Sequence, residues 1–181
     1  VEAWKRGWSR AEKKVVIGDG AEWIWNLAKD HFPGAIQIVD LYHARQHLWD
    51  LARLLYSNDT KRRNAWIGLH QKRWLDKGKI AKLVASLRSI QTPDPDLAKK
   101  IRTEADYFAS NAARMNYPKF RKQHLFVGSG VIEAGCKAVI GRRLKQSGMF
   151  WTVKGANSIL ALRCAHLNGR FQDYWEGRWA A

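Results

Sequence analysis

At 181 residues, 46% of them hydrophobic and 12% aromatic, the chain can bury one sizeable core, which excludes a disordered polymer and leaves little room for two full domains. Thirty-two Lys and Arg against sixteen Asp and Glu leave a net charge of +16 and a pI near 10.2, a balance that favours polyanions, nucleic acid first, through counterion release. Two cysteines, Cys136 and Cys164, outside any C-x-x-C pair argue against a zinc ribbon or disulfide scaffold, and neither a membrane-length apolar run nor a signal-peptide core is present.

The β-branched run Val15-Val16-Ile17, stopped by Gly18-Asp19-Gly20, predicts a buried strand ending in a turn. From Ala21 the spacing becomes helical, with Ile24, Leu27 and Ala28 on one face, until Phe32-Pro33-Gly34 ends it. Residues 35–40, AIQIVD, alternate as a second strand that ends on Asp40. Strand, helix and strand with short connections form a βαβ unit with a parallel pair. Asp19 and Asp40 are therefore expected at the same carboxyl edge, where ligands bind in such sheets.

Leu41, Ala44, Leu48, Leu51, Ala52 and Leu55 then mark one apolar stripe of a helix. Residues 61–116 carry further helical patterns rich in cations, broken at QTPDPD, where Asp94 or Asp96 is expected to cap the next helix. The all-α stretch spans about 57–120, and YPKFRKQ near its end reads as irregular or a short strand. One helix is expected from Ser129 to about Leu144 and a last one from about Ala156. Ten tryptophans serve either a dense core or a base-stacking surface.

Three acids could do chemistry. Asp19 suits a turn, since Asp-Gly after a strand is ordinary turn chemistry. It also suits a divalent cation, because Mg²⁺ takes one or two protein carboxylates beside substrate phosphates. Asp40 opens DLYHARQH and reads as a helix cap, with His43 and His47 sharing one helical face and no fourth ligand to complete a zinc site. Glu133 lies one turn before Lys137, an ordinary ion-pair spacing, and four residues after Ser129, one too many for a capping box. Surface residue and metal ligand both stay open for it. Two strand-end aspartates and a helical glutamate in a chain of +16 fit two-metal phosphoryl transfer, in which carboxylates hold the cations.

The segments GDGAEWIW…FPGAIQIVDLYHARQHLW and FVGSGVIEAGCKAVIGRRLKQSGMFWTVKGANSILALRC resemble bacterial insertion-sequence transposases with a DDE triad, in the Mutator-like branch. The likeness runs from about Val15 to Glu176, and its second segment is the more specific. It implies an α/β fold: a partial RNase H-like core, made of the βαβ unit and C-terminal helices, interrupted by an all-α insertion. Residues 1–181 would then be the C-terminal part of one catalytic domain.

The resemblance makes Asp19 the second aspartate of the triad and Glu133 its glutamate, both holding Mg²⁺ (or Mn²⁺) in a two-metal site, with no zinc expected. Asp40 and His43 match the family's acid-or-cysteine, two residues, then histidine motif, which lies near the active site without supplying a triad ligand. That likeness moves Asp40 from metal ligand to accessory residue. The first aspartate of the triad belongs on a strand upstream, yet only Glu2 and Glu12 precede Asp19, and the chain starts at Val1. The expectation is a C-terminal fragment, itself inactive, of a transposase that cuts transposon-end DNA and joins it to target DNA.

Arg142, Arg143, Lys145 and Lys154 are the expected DNA contacts, and Trp151 is expected in the core, with stacking near a base as the alternative. Lys61, Arg62, Arg63, Lys72 and Arg73 form either a second basic surface or a solvated helix face. The implied partners are transposon-end and target DNA and further copies of the chain in a synaptic complex, in the bacterial cytoplasm at the nucleoid, without a membrane. The rival expectation is a basic nucleic-acid-binding protein without catalysis. A zinc-binding regulator is the third.

Overall fold

The β-branched run forms β1, Val15–Gly18, and the alternating run forms β2, Ile36–Val39, in the computed structural model, which describes residues 2–179. Val1 lies outside the described residues. The two strands pair in parallel, from Val15 opposite Ile36 to Gly18 opposite Val39, and α2, Glu22–His31, makes the crossover. The protein is mostly helical, 69%, with this small two-stranded parallel sheet, an α/β arrangement with few strands. No helix among the described residues is long and apolar enough to cross a membrane.

The chain divides into two compact units, Val1–Ser129 and Gly130–Ala181. The first holds a short helix α1, Glu2–Lys5, then the βαβ unit, then α3, Leu41–Leu55, which leaves β2 through Asp40. Leu41, Ala44, Leu48, Leu51 and Ala52 are buried and Leu55 is half-buried, so the apolar stripe of α3 is the face on which the unit is built. Each fully buried leucine there contributes about 2 kcal/mol of apolar burial.

A block of helices follows: α4, Thr60–Ile67; a π-helical stretch Gly68–Trp74; α5, Ile80–Arg88; and α6, Pro95–Ser110. Asp94, not Asp96, caps α6, accepting from the amides of Asp96 and Leu97, while Pro95 sits where a helix has no amide to lose. α5 packs along α6, and α3 packs against α4 and α6. Inside the π-helical stretch, buried His70 stacks on Trp66 at 3.8 Å. Its Nδ1 donates to the Trp66 carbonyl, so Nε2 accepts from Ser86 Oγ, and burial pushes its pKa down and keeps the ring neutral.

Three expectations need correction in this unit and the next. Tyr117–Lys122 is a helix, α7, and not irregular or a strand: Asn116 caps it, Pro118 lies in its first turn, and Tyr117 and Phe120 are buried. Leu27 is 46% exposed, because α2 turns Trp25 inward with Ala28, and the Trp25 indole donates to Asn111 Oδ1 at 3.0 Å. The last expected helix starts earlier, at Val153, because Thr152 Oγ1 accepts from the Gly155 amide.

In the second unit the helical backbone from Gly130 to Leu144 comprises α8, Gly130–Cys136, a π turn at Lys137–Gly141, and α9, Arg142–Leu144. The π turn turns a carbonyl outward, and Arg163 Nε, on α10, Val153–Leu167, donates to Ala138 O at 2.9 Å. A further helix, α11, Phe171–Trp179, follows the left-handed turn at Gly169. No described residue of this unit is fully buried, in contrast to the dense interior of the first.

Asn111 is the test of the first unit's interior, since its side chain accepts from Trp25 and donates to the Gly20 carbonyl. Asn111→Ala is expected to lower the unfolding free energy by about 2 kcal/mol, because both buried partners lose their bond. Urea titration followed by tryptophan fluorescence reads it.

Candidate functional site

The carboxyl ends of β1 and β2 carry Asp19 and Asp40, on one edge of the sheet as a parallel βαβ unit requires. Their environments differ. Asp19 is exposed; its Oδ1 accepts from the Ala21 amide at 2.9 Å, while Oδ2 accepts no hydrogen bond among the described residues.

Asp40 is 6% exposed and both of its oxygens are engaged. Oδ1 accepts from the amides of Tyr42, at 2.7 Å, and His43, at 3.2 Å, which makes it the cap of α3. Oδ2 accepts from the Ser129 amide at 2.6 Å, and the Leu41 amide donates to Val127 O next to it. Burial raises the pKa of this carboxyl, but the bonds from Ser129, His43 and Tyr42 outweigh it and hold the group below its ordinary value. Gly128 permits the approach: a Cβ there would stand 2.8 Å from the Tyr42 ring.

His43 and His47, one turn apart on α3, meet edge to face at 4.9 Å. His47 turns its Nδ1 to Glu104 Oε2 of α6, 2.7 Å away, and its ring stacks on Tyr107 at 4.0 Å. Glu104 is 2% exposed and also meets Lys100 at 2.7 Å. Burial acts to raise its pKa, and the His47 and Lys100 hydrogen bonds prevail and keep it low. The Tyr107 hydroxyl donates to the carbonyl of Asp19 at 2.8 Å. Burial, with Asp19 and Glu104 nearby, pushes the Tyr107 pKa up, so the hydroxyl keeps the proton it donates.

Sequence reasoning did not single out Glu104, Tyr107 or Asn111. Their only local signal is their spacing of three and four along α6 and its C-cap, Asn111, which puts them on one side of the helix. Their shared target, the Asp19–Gly20 turn, is known only from the fold.

The other expected site residues lie in the second unit. Glu133 is exposed in the first turn of α8. Arg142 and Arg143 form α9, Lys145 follows it, and Lys154 lies in the first turn of α10; all four are exposed and none joins an ion pair among the described residues. No acid stands between Glu133 and Asp173. Trp151, expected in the core or near a base, is 39% exposed, and Phe150 beside it is 94% exposed, in a unit that has no fully buried described residue. In the first unit Arg62 pairs with Asp59 at 3.3 Å, whereas Lys61, Lys72 and Arg73 are exposed and join no ion pair among the described residues.

Asp19 fits a divalent cation as one ligand: it is an exposed carboxylate at a strand end with an oxygen to give. Asp40 does not fit, since three amides already occupy it. Among the described residues no group of three or more His, Cys, Asp or Glu is arranged to hold a metal ion.

Asp40→Ala is expected to cost about 2 kcal/mol of stability through the lost cap and the stranded Ser129 amide. Because the folded pKa lies below the unfolded one, the advantage of the wild type is complete above the unfolded carboxyl value of about 4. It fades as the pH falls through the folded value, which chemical denaturation across an acid pH series measures. Compared with models of protein families, with curated proteins and with solved structures, the chain finds no match.

Proposed function

We propose that the chain is part of a Mutator-like DDE transposase, with a partial RNase H-like core interrupted by helices, that cuts transposon-end DNA and joins it to target DNA. One observation carries the reading: Asp19 stands at the carboxyl end of a parallel strand with a free carboxylate oxygen, while Asp40 on the adjacent strand is spent on capping α3. That division of labour matches the roles that the resemblance implies, ligand for the first and accessory for the second.

In this reading Asp19 and Glu133 hold Mg²⁺ or Mn²⁺, and Asp40 keeps the strand-end edge rigid. When bound, the cations would supply Lewis acidity for in-line displacement at phosphorus. Arg142, Arg143, Lys145 and Lys154 bind DNA phosphates. Lys154 supports this assignment, because a cation at the positive end of a 15-residue helix is unfavourable until an anion docks there. A basic nucleic-acid-binding protein without catalysis is the second reading, favoured by the lack of a preformed three-residue metal cluster among the described residues.

Two measurements separate them. The wild-type chain should bind duplex DNA with an affinity that falls steeply with salt, and Arg142→Ala combined with Arg143→Ala should reduce the slope of log K against log salt by about 2. Fluorescence anisotropy across a salt series reads it. The resemblance places the first aspartate of the triad on an upstream strand; a protein carrying that strand joined to this chain should nick transposon-end DNA with Mg²⁺ or Mn²⁺. Glu133→Gln should abolish nicking and spare DNA binding, and nicking that survives the substitution removes Glu133 from the site.

A further inference from the structure

Several places in the molecule are unexplained by the proposed chemistry: the aromatic hollow of Trp4, Leu27 and Phe32, the Tyr42–Trp49 face of α3, and the α6 contacts to the Asp19 turn. The last are the most fully built. Helix α6 comes from the helical block more than fifty residues after β2, yet it reaches back to the turn that follows β1 at two points. Tyr107 Oη donates to Asp19 O at 2.8 Å, and Asn111 Nδ2 donates to Gly20 O at 3.1 Å.

The turn itself is shaped to receive them. Gly20 is buried with φ of +102°, and a Cβ there would stand 2.6 Å from the Tyr107 ring. Tyr107 is in turn fixed from behind. Its ring stacks on His47, and His47 is tied to Glu104, a carboxylate 2% exposed and held also by Lys100. A buried ionic group costs free energy to desolvate, and here it orients a ring whose hydroxyl ends on the backbone of Asp19.

We propose that Tyr107 is a positioning residue: by fixing the Asp19 carbonyl, it sets the direction in which the Asp19 carboxylate offers its open oxygen to a divalent cation. The inference rests on the reading of Asp19 as a metal ligand. Asp19 is exposed, and among the described residues its side chain is held only by the Ala21 amide, so its aim depends on the backbone that carries it. A shift of the Asp19–Gly20 backbone would carry the carboxylate with it, and the donors from α6 and its C-cap, Tyr107 and Asn111, oppose that shift. The helical block therefore preorganises a ligand on the strand edge.

The test uses the full chain with Mn²⁺, reading paramagnetic broadening of the amide signals of residues 18–22 in ¹H–¹⁵N spectra. Wild type should show saturable broadening there. Tyr107→Phe keeps the stacked ring and removes only the hydroxyl, so it should leave the spectrum folded and the melting temperature within a few degrees, yet weaken the Mn²⁺ affinity about fivefold, as expected for one lost hydrogen bond. Asp19→Asn should abolish the broadening. If Asp19→Asn abolishes it and Tyr107→Phe leaves the affinity unchanged, Asp19 binds metal but Tyr107 does not position it. If Asp19→Asn leaves the broadening intact, the metal reading of Asp19 fails and the positioning role with it. Should Tyr107→Phe not fold, His47→Gln removes the ring behind Tyr107 and leaves its hydroxyl. An affinity equal to wild type in that variant overturns the proposal, and a weaker one supports it.

Discussion

One carboxylate joins three segments of the first unit. Asp40 ends β2, starts α3 and receives the Ser129 amide, so a strand, a helix and a segment ninety residues downstream converge on two oxygens. A buried carboxylate is tolerated because its charge is shared among amides, two of which belong to a helix start that has donors to spare. The same bonds consume the group. An acid that a strand-edge argument would offer to a metal is occupied with holding the edge together.

The second constraint on that edge comes from the helical block. α6 packs through Ile101, Ala105 and Phe108, and the same helix and its C-cap residue send Glu104, Tyr107 and Asn111 toward α3 and the β1 turn. Apolar burial sets where the helix lies, and the polar residues between the apolar ones fix the turn that bears Asp19. A two-stranded sheet by itself is marginal. Here its exposed end is held by a buried polar network whose members all find partners, the condition under which such a network confers rigidity.

The second unit follows a different physical logic. It has no fully buried described residue, it leaves Phe150, Val153 and Ile132 largely in solvent, and its cations run from Lys137 to Arg170 without an acid. Like charges at this density repel one another along these helices and find their relief in counterions or phosphates. The π turn at Lys137–Gly141 is tied down by Arg163 Nε, so one cation of the run also serves structure.

Much of this was legible in the residues. Val15-Val16-Ile17 before Gly18, the apolar stripe of α3 and the Asp40 cap follow from local rules, because each depends on periodicity or on a side chain reaching its own backbone. The charge of +16 is a sum and needs no fold. Where local patterns failed, a tertiary partner had decided. Leu27 has the spacing of a core residue, but Asn111 draws Trp25 inward and turns Leu27 out. Residues 117–122 are helical with Tyr117 and Phe120 buried one turn apart, a pairing of faces that the run YPKFRKQ did not reveal despite Asn116 and Pro118 at its start. The sequence by itself determined the βαβ unit, the apolar stripe of α3, the strand-end acids and the basic run after Glu133. Only the tertiary structure decided that Asp40 is a tie, that Asp19 keeps an open oxygen, and that Tyr107 stands behind it, since hydrogen bonds between residues 88 positions apart leave no trace in local pattern.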